Sequence, residues 1–193
     1  CKNLVKALVA DSKSKLLVLE FCKESDLGTI LNYEELQDVN ISNNQILTDV
    51  LSGIDYLHKK NYIHLDIRID NIIICNDKPT AKISNFGKIT NKLELDKKPE
   101  IFFEKAALGS YLDSGILNAI TNKHLKQGYE WLDNYNYYIS DIWGLMLISM
   151  QLLWYPNHLV FGRSQEDQLK LDNEILKLNF SWTQNIVSIV NSS

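Results

Sequence analysis

The chain has 193 residues, of which 45% are hydrophobic and 23% charged, with a formal net charge of -4. That size buries one or two small cores, and without a basic excess neither a nucleic-acid partner nor a membrane-surface role has electrostatic support. No apolar run reaches the roughly 20 residues of a bilayer span, and Cys1, Cys22 and Cys75, an odd set without CxxC or Cys/His spacing, argue against a zinc site or a disulfide framework and for reduced, intracellular thiols.

Residues 4–10 (LVKALVA) and 15–21 (KLLVLEF) are apolar and partly β-branched, and the polar turn 11–14 between them predicts a β-hairpin. Asp26 is an N-cap candidate, after which Ile46, Val50, Leu51, Ile54 and Leu57 recur at helical spacing through His58 and predict a long amphipathic helix. Residues 72–75 and 81–84 read as two short strands around a turn holding Asn76, Asp77 and Pro79. The lysine- and glutamate-rich stretch 91–104 has no clear period and reads as a loop. Ser140 and Asp141 then cap the most apolar helix, which runs over residues 142–155. Residues 169–178 alternate in helical fashion, and there is no internal repeat. There is no signal-peptide pattern, and Cys1 stands where an initiator Met is expected, which reads as a fragment or processed piece.

The collinear order of these elements and motifs resembles the protein kinase family over nearly the whole chain. His64-Leu65-Asp66-Ile67-Arg68-Ile69-Asp70-Asn71 resembles the catalytic loop HRDLKxxN, and Lys82-Ile83-Ser84-Asn85-Phe86-Gly87 the KISDFG turn. Ser140-Asp141-Ile142-Trp143 resembles the SDVW opening of the central buried helix, and residues 16–26 (LLVLEFCKESD) the last small-lobe strand and hinge. HxDxxxxN alone also occurs in small-molecule phosphotransferases; Tyr56-Leu57-His58 and the SDIW helix favour protein kinases.

The resemblance implies an α+β protein-kinase-like fold. Residues 1–22 would be a residual small-lobe hairpin and hinge start, and residues 23–193 a mostly helical large lobe truncated at its C-terminal end. Asp66 would orient the acceptor hydroxyl and take its proton, Arg68 would offer a cation to the moving phosphate, and Asn71 would hold a metal ion. Leu19 as gatekeeper, the backbones of Glu20 and Cys22, Asp26 near the ribose and Ile73 beneath the ring would line an adenine site. His58 and His64 read as structural, and Asp141 would accept hydrogen bonds from the catalytic-loop backbone.

Several departures bear on activity. Asn85 stands where an aspartate would bind Mg2+, and a hard dication prefers an anionic oxygen to a neutral amide. That loss is on the order of several kcal/mol of transition-state stabilisation. Leu65 replaces the arginine that would pair with a phosphorylated activation loop. Residues 109–117 offer Asp113-Ser114-Gly115 where APE is expected, and an insertion is expected around residues 123–135. No glycine-rich loop, strand lysine or helix glutamate precedes the hairpin, so a parent chain or a partner would supply the rest of the small lobe. The expectation is a catalytically impaired, pseudokinase-like module that binds protein partners in the cytoplasm, with ATP and Mg2+ held weakly or not at all. The alternative is a fragment of an active serine/threonine-type protein kinase, favoured by Asp66, Arg68, Asn71 and Ser110. A small-molecule phosphotransferase comes third.

Overall fold

The computed structural model describes residues 1–22, 25–32, 36, 39–75, 79–106 and 135–154. The expected APE-like segment, the insertion and the helix at 169–178 lie outside these residues.

The chain opens with the predicted hairpin. Strand β1 (Ala7–Asp11) pairs antiparallel with β2 (Leu16–Leu19) in the register Ala10↔Leu17 and Asp11↔Leu16. Its turn is closed by Asp11, whose carboxylate accepts from the Lys13 amide and the Ser14 hydroxyl. Leu4 is not part of that ribbon: Ile83 donates its amide to the Asn3 carbonyl, and Val5 donates to the Ile83 carbonyl, each at 2.9 Å. The hairpin is thereby stitched at its base to the strand that precedes Ser84.

Asp26 does cap a helix. Its carboxylate accepts from the Thr29 amide at 2.9 Å and the Thr29 hydroxyl at 2.7 Å, starting the short α1 (Leu27–Asn32). The long amphipathic helix is α2 (Asn43–Lys59), capped by Ser42, which accepts from the Gln45 amide. Its apolar stripe of Ile46, Val50 and Ile54 has no exposed surface and packs into the main core with Leu27, Ile72, Ile83 and Ile148. Asp49 sits on this inner face because it has work there, accepting from the Ala81 amide at 3.1 Å and from the Gln45 side chain at 3.0 Å.

After β3 (Tyr62–Ile63), the second hairpin consists of β4 (Ile72–Cys75) and β5 (Thr80–Ile83), one residue earlier at its second strand than the apolar pattern predicts. Residues 91–104 are not a loop. Strand β6 (Thr90–Asn91) pairs with β3, and helices α3 (Lys92–Leu95) and α4 (Pro99–Ala106) follow. The reason is a second small core that local periodicity does not show: Leu95 and Phe102 are fully buried against Ile63, Leu65 and Tyr137. Asn91 caps α3 through the Leu93 amide at 2.9 Å.

The apolar helix α5 (Ile139–Trp154) begins before Ser140 and Asp141, so these residues lie in its first turn and do not precede it as caps. Gly144 brings this helix against the loop that follows β3, where a Cβ would collide with the Ile67 carbonyl oxygen. No described helix is long and apolar enough to cross a membrane.

The Cys22 and Cys75 sulfurs form a disulfide across 53 residues, which corrects the expectation of reduced thiols. Backbone contacts bring the pair together: Asp26 bridges to Ile73, and the Ile74 amide donates to the Ser25 carbonyl. Cys1 is a free, exposed thiol.

Candidate functional site

The candidate site lies on the loop between β3 and β4 and on the turn after β5. Helix α5 holds the loop from below through one side chain. Asp141 is fully buried, and its carboxylate accepts from the His64 and Leu65 amides, each at 2.9 Å, while His58 Nε2 meets it at 2.8 Å. Those bonds fix a backbone that would otherwise relax, because Leu65 has φ 63°, a left-handed conformation that is rare for a bulky residue. The Leu65 side chain is buried in the second core and not directed to an anionic partner.

His64 is structural, as its burial predicts. Its Nε2–H donates to the Ser84 carbonyl at 2.9 Å and its Nδ1 has no hydrogen-bond partner among the described residues, which is the pattern of a neutral ring. Burial pushes its pKa below the ordinary histidine value, outweighing the upward pull of Asp141 and Asp66. Phe86 packs edge-on against this ring, with centroids 5.5 Å apart, and thereby seats the Asn85-Phe86-Gly87 turn on the loop. Ser84 completes the join: both its amide and its hydroxyl donate to the Asn71 carbonyl, at 2.8 and 3.0 Å.

Asp66, Asn71 and Asn85 lie at one junction. Asn71 donates its side-chain amide to the Asp66 carbonyl at 2.7 Å, which ties the two ends of the loop. Asn85, at φ 59° and ψ 65°, is in the left-handed region that asparagine tolerates better than most residues. Its Nδ2 donates to Asn71 Oδ1 at 3.1 Å. The Asp66 carboxylate faces the Lys88 ammonium at 3.4 Å. Arg68 turns to its neighbour and forms an ion pair with Asp70, its Nε donating at 2.6 Å.

The magnesium that the resemblance implies does not fit this arrangement. The Asn71 oxygen is engaged by an amide donor, Asp66 by a cation, and position 85 carries no charge. Among the described residues no cluster of three or more His, Cys, Asp or Glu side chains could hold a metal ion.

The residues that the resemblance would place in a hinge are also engaged. Glu20 accepts from Lys82 through both carboxylate oxygens at 2.7 Å and from the Lys6 amide at 2.8 Å. The bond to Lys82 holds the Glu20 pKa below the ordinary carboxylate value, against a desolvation that raises it. Leu19 ends β2 half-exposed, Cys22 is the disulfide residue, and Asp26 caps α1 beside Ile73. The structure therefore gathers Cys22, Asp26 and Ile73 at one junction and Asp66, Asn71 and Asn85 at another. Lys82, Lys88 and the cysteine pair were missed by sequence reasoning. Lys82 lay inside a quoted motif without a role; Lys88 offered only its place one residue after that motif.

The family model for protein tyrosine and serine/threonine kinases matches residues 1–101. The chain is 38% identical over 71 residues to a membrane-associated tyrosine- and threonine-specific cdc2-inhibitory kinase of Drosophila melanogaster, covering 37% of this chain and 13% of that one. It is 35% identical over 98 residues to the inhibitor of nuclear factor kappa-B kinase subunit alpha of Xenopus tropicalis, covering 44% of this chain and 13% of the relative. With serine/threonine-protein kinase KSP1 of Saccharomyces cerevisiae the identity is 23% over 154 residues, 78% of this chain and 14% of the relative. The chain thus spans a small part of the length of the curated relatives it matches. With a family model covering more than half of its residues, and with the loop, turn and buried helix joined as described, the chain belongs to the protein kinase family.

Proposed function

We propose that this protein is a kinase-like module with impaired phosphoryl transfer that acts by binding protein partners. Kinases of this family generally use ATP and Mg2+. The observation that supports impairment is the Asn85 amide bonded to Asn71 Oδ1, where a metal-binding carboxylate would be needed. Asp66 remains in place for an acceptor hydroxyl, but its carboxylate is paired with Lys88. Leu65 adds a second reason: the segment after the turn is held by apolar packing of Leu65, Leu95 and Phe102, so a phosphate switch has no cationic partner at that position.

The residues proposed for residual nucleotide contact are Leu19, Glu20, Cys22, Asp26 and Ile73, with Asp66, Arg68 and Asn71 as vestiges of the transfer machinery. Residues 1–22 are read as small-lobe remnant and hinge start, and residues 23–193 as large lobe. A cytoplasmic location is part of this reading. The cytosol keeps accessible thiols reduced, so the mass of the protein isolated from cells under alkylation reports whether the Cys22–Cys75 bond exists there.

The test is phosphoryl transfer from labelled ATP to a mixed serine, threonine and tyrosine peptide library. No transfer above the Asp66→Ala variant is expected. Robust magnesium-dependent transfer that Asp66→Ala abolishes overturns the reading.

A second reading, a piece of an active serine/threonine-type kinase, is favoured by the Asn71 to Asp66 carbonyl bond, which keeps the loop in an ordered arrangement. A sharp gain of activity in Asn85→Asp, in a protein carrying a complete small lobe, would support it.

A further inference from the structure

We propose that the cleft has an internal substitute for its divalent cation, the Asn85 amide and the Lys88 ammonium together, so that it neither needs nor binds magnesium. The inference deepens the impaired-module reading and rests on it.

The argument starts with which way the amides face. Side-chain oxygen and nitrogen are assigned from their partners, and here the partners leave one choice. The Asp66 carbonyl can only accept, so Asn71 must turn Nδ2 toward it, at 2.7 Å, and Oδ1 toward Asn85. Position 85 must then present a donor, and the asparagine does so at 3.1 Å. An aspartate in the same place would set a carboxylate oxygen against a carbonyl oxygen with no proton between them. Only a cation shared by the two oxygens would relieve that repulsion, which is the electrostatic task a metal performs at such a site. Asparagine removes the negative charge and supplies the bridge at once.

Lys88 performs the other half of the task. Its ammonium is 3.4 Å from Asp66 Oδ1, with side chains only 23% and 11% exposed, so the pair is shielded from much of the screening that weakens surface ion pairs. A dication approaching Asn71 and Asp66 would meet this fixed positive charge. The two residues are complementary: one cancels the demand for a metal, and the other opposes its entry.

The test follows the intact chain by thermal melting and by calorimetric titration with MgCl2, compared with EDTA and with KCl at equal ionic strength. The wild-type midpoint is expected to be the same in all three, with no saturable magnesium heat. Asn85→Asp is expected to melt lower than wild type in EDTA and to gain a magnesium site at least about tenfold tighter than any wild-type binding. Lys88→Met added to Asn85→Asp should tighten it further. Saturable magnesium binding by wild type overturns the inference whether or not any variant folds; an Asn85→Asp variant that folds but ignores magnesium overturns it too. Failure of the parent reading looks different. Phosphoryl transfer by wild type in EDTA would refute impairment while leaving metal independence standing. An inactive wild type stabilised by magnesium would do the reverse.

Discussion

At the scale of single residues, the buried groups under the loop are held by bonds that have no spare partner. Asp141 serves two backbone amides and His58 from a fully buried position. Asparagine at that place would keep one acceptor and turn an NH2 toward a backbone N–H, so Asp141→Asn is expected to lower the unfolding free energy by about 2–4 kcal/mol. Urea denaturation checks it, and a loss below about 1 kcal/mol would mean that the loop finds other acceptors. His64 gives a pH dependence with a definite sign. Its folded pKa is depressed by burial, so the unfolded chain binds a proton that the native state does not. Its contribution is fully present above the unfolded value of about 6.5 and is lost as the pH falls from there toward the depressed value. His64→Gln should reduce the acid-side slope by up to about 1.4 kcal/mol per pH unit, the limit for one proton. An unchanged slope between pH 7 and pH 5 would place the proton uptake elsewhere. Much of this residue-level site was legible beforehand. The resemblance placed Asp66, Asn71 and Asn85 on adjoining segments, and Asn71 does bond the Asp66 carbonyl and the Asn85 amide; the architectural role of Asp141 followed from the resemblance too. Lys88 and Lys82 were not found, because an ion pair between distant segments leaves no periodic trace.

At the scale of elements, the hairpins and both long helices were legible because each carries its own apolar period or cap. The segment 91–104 was misread because its helices are stabilised from outside, by Leu95 and Phe102 entering a core built with Ile63 and Tyr137. The disulfide was misread for a related reason: its two cysteines meet only after α1 and β4 come together. It fastens the segment after β2 to the β4–β5 hairpin, which the Glu20–Lys82 pair also joins to it. Closing 53 residues removes unfolded-state entropy worth about 4 kcal/mol in the chain-entropy account. Reduction, or Cys75→Ser, is therefore expected to lower stability by about that amount, with the Asp141-held loop intact in the folded state. Denaturation of oxidised and reduced protein, with alkylation and mass measurement to count the free thiols, is the check. Equal stability in both states would show that the segment after β2 is held without the bond.

At the scale of the whole molecule, the described structure is unequal at its two ends. The residues from α1 onward enclose two buried cores, whereas β1 and β2 form a ribbon of two strands with no buried position in either. A ribbon of that size is marginal in water by itself. This one is held at its base, by the backbone bonds of Val5 with Ile83, by Glu20 with Lys82, and by the Cys22–Cys75 bond. None of these covers its surface. Leu8, Leu16 and Leu17 are 54%, 52% and 60% exposed, and Phe21 is 85% exposed. Among the described residues no further strand pairs with this ribbon, and an apolar ribbon with free edges is a template for pairing with another chain. Concentration-dependent self-association of this 193-residue chain is therefore expected. The double variant Leu8→Lys and Leu17→Lys should shift it toward monomer with a stability change within about 0.5 kcal/mol, since both side chains are in water already. Sedimentation velocity over a concentration series decides it. A wild-type chain that stays monomeric throughout would mean the ribbon edges are not available for pairing. Loss of association only together with loss of the fold would mean the two leucines hold the ribbon down and do not draw a second chain to it.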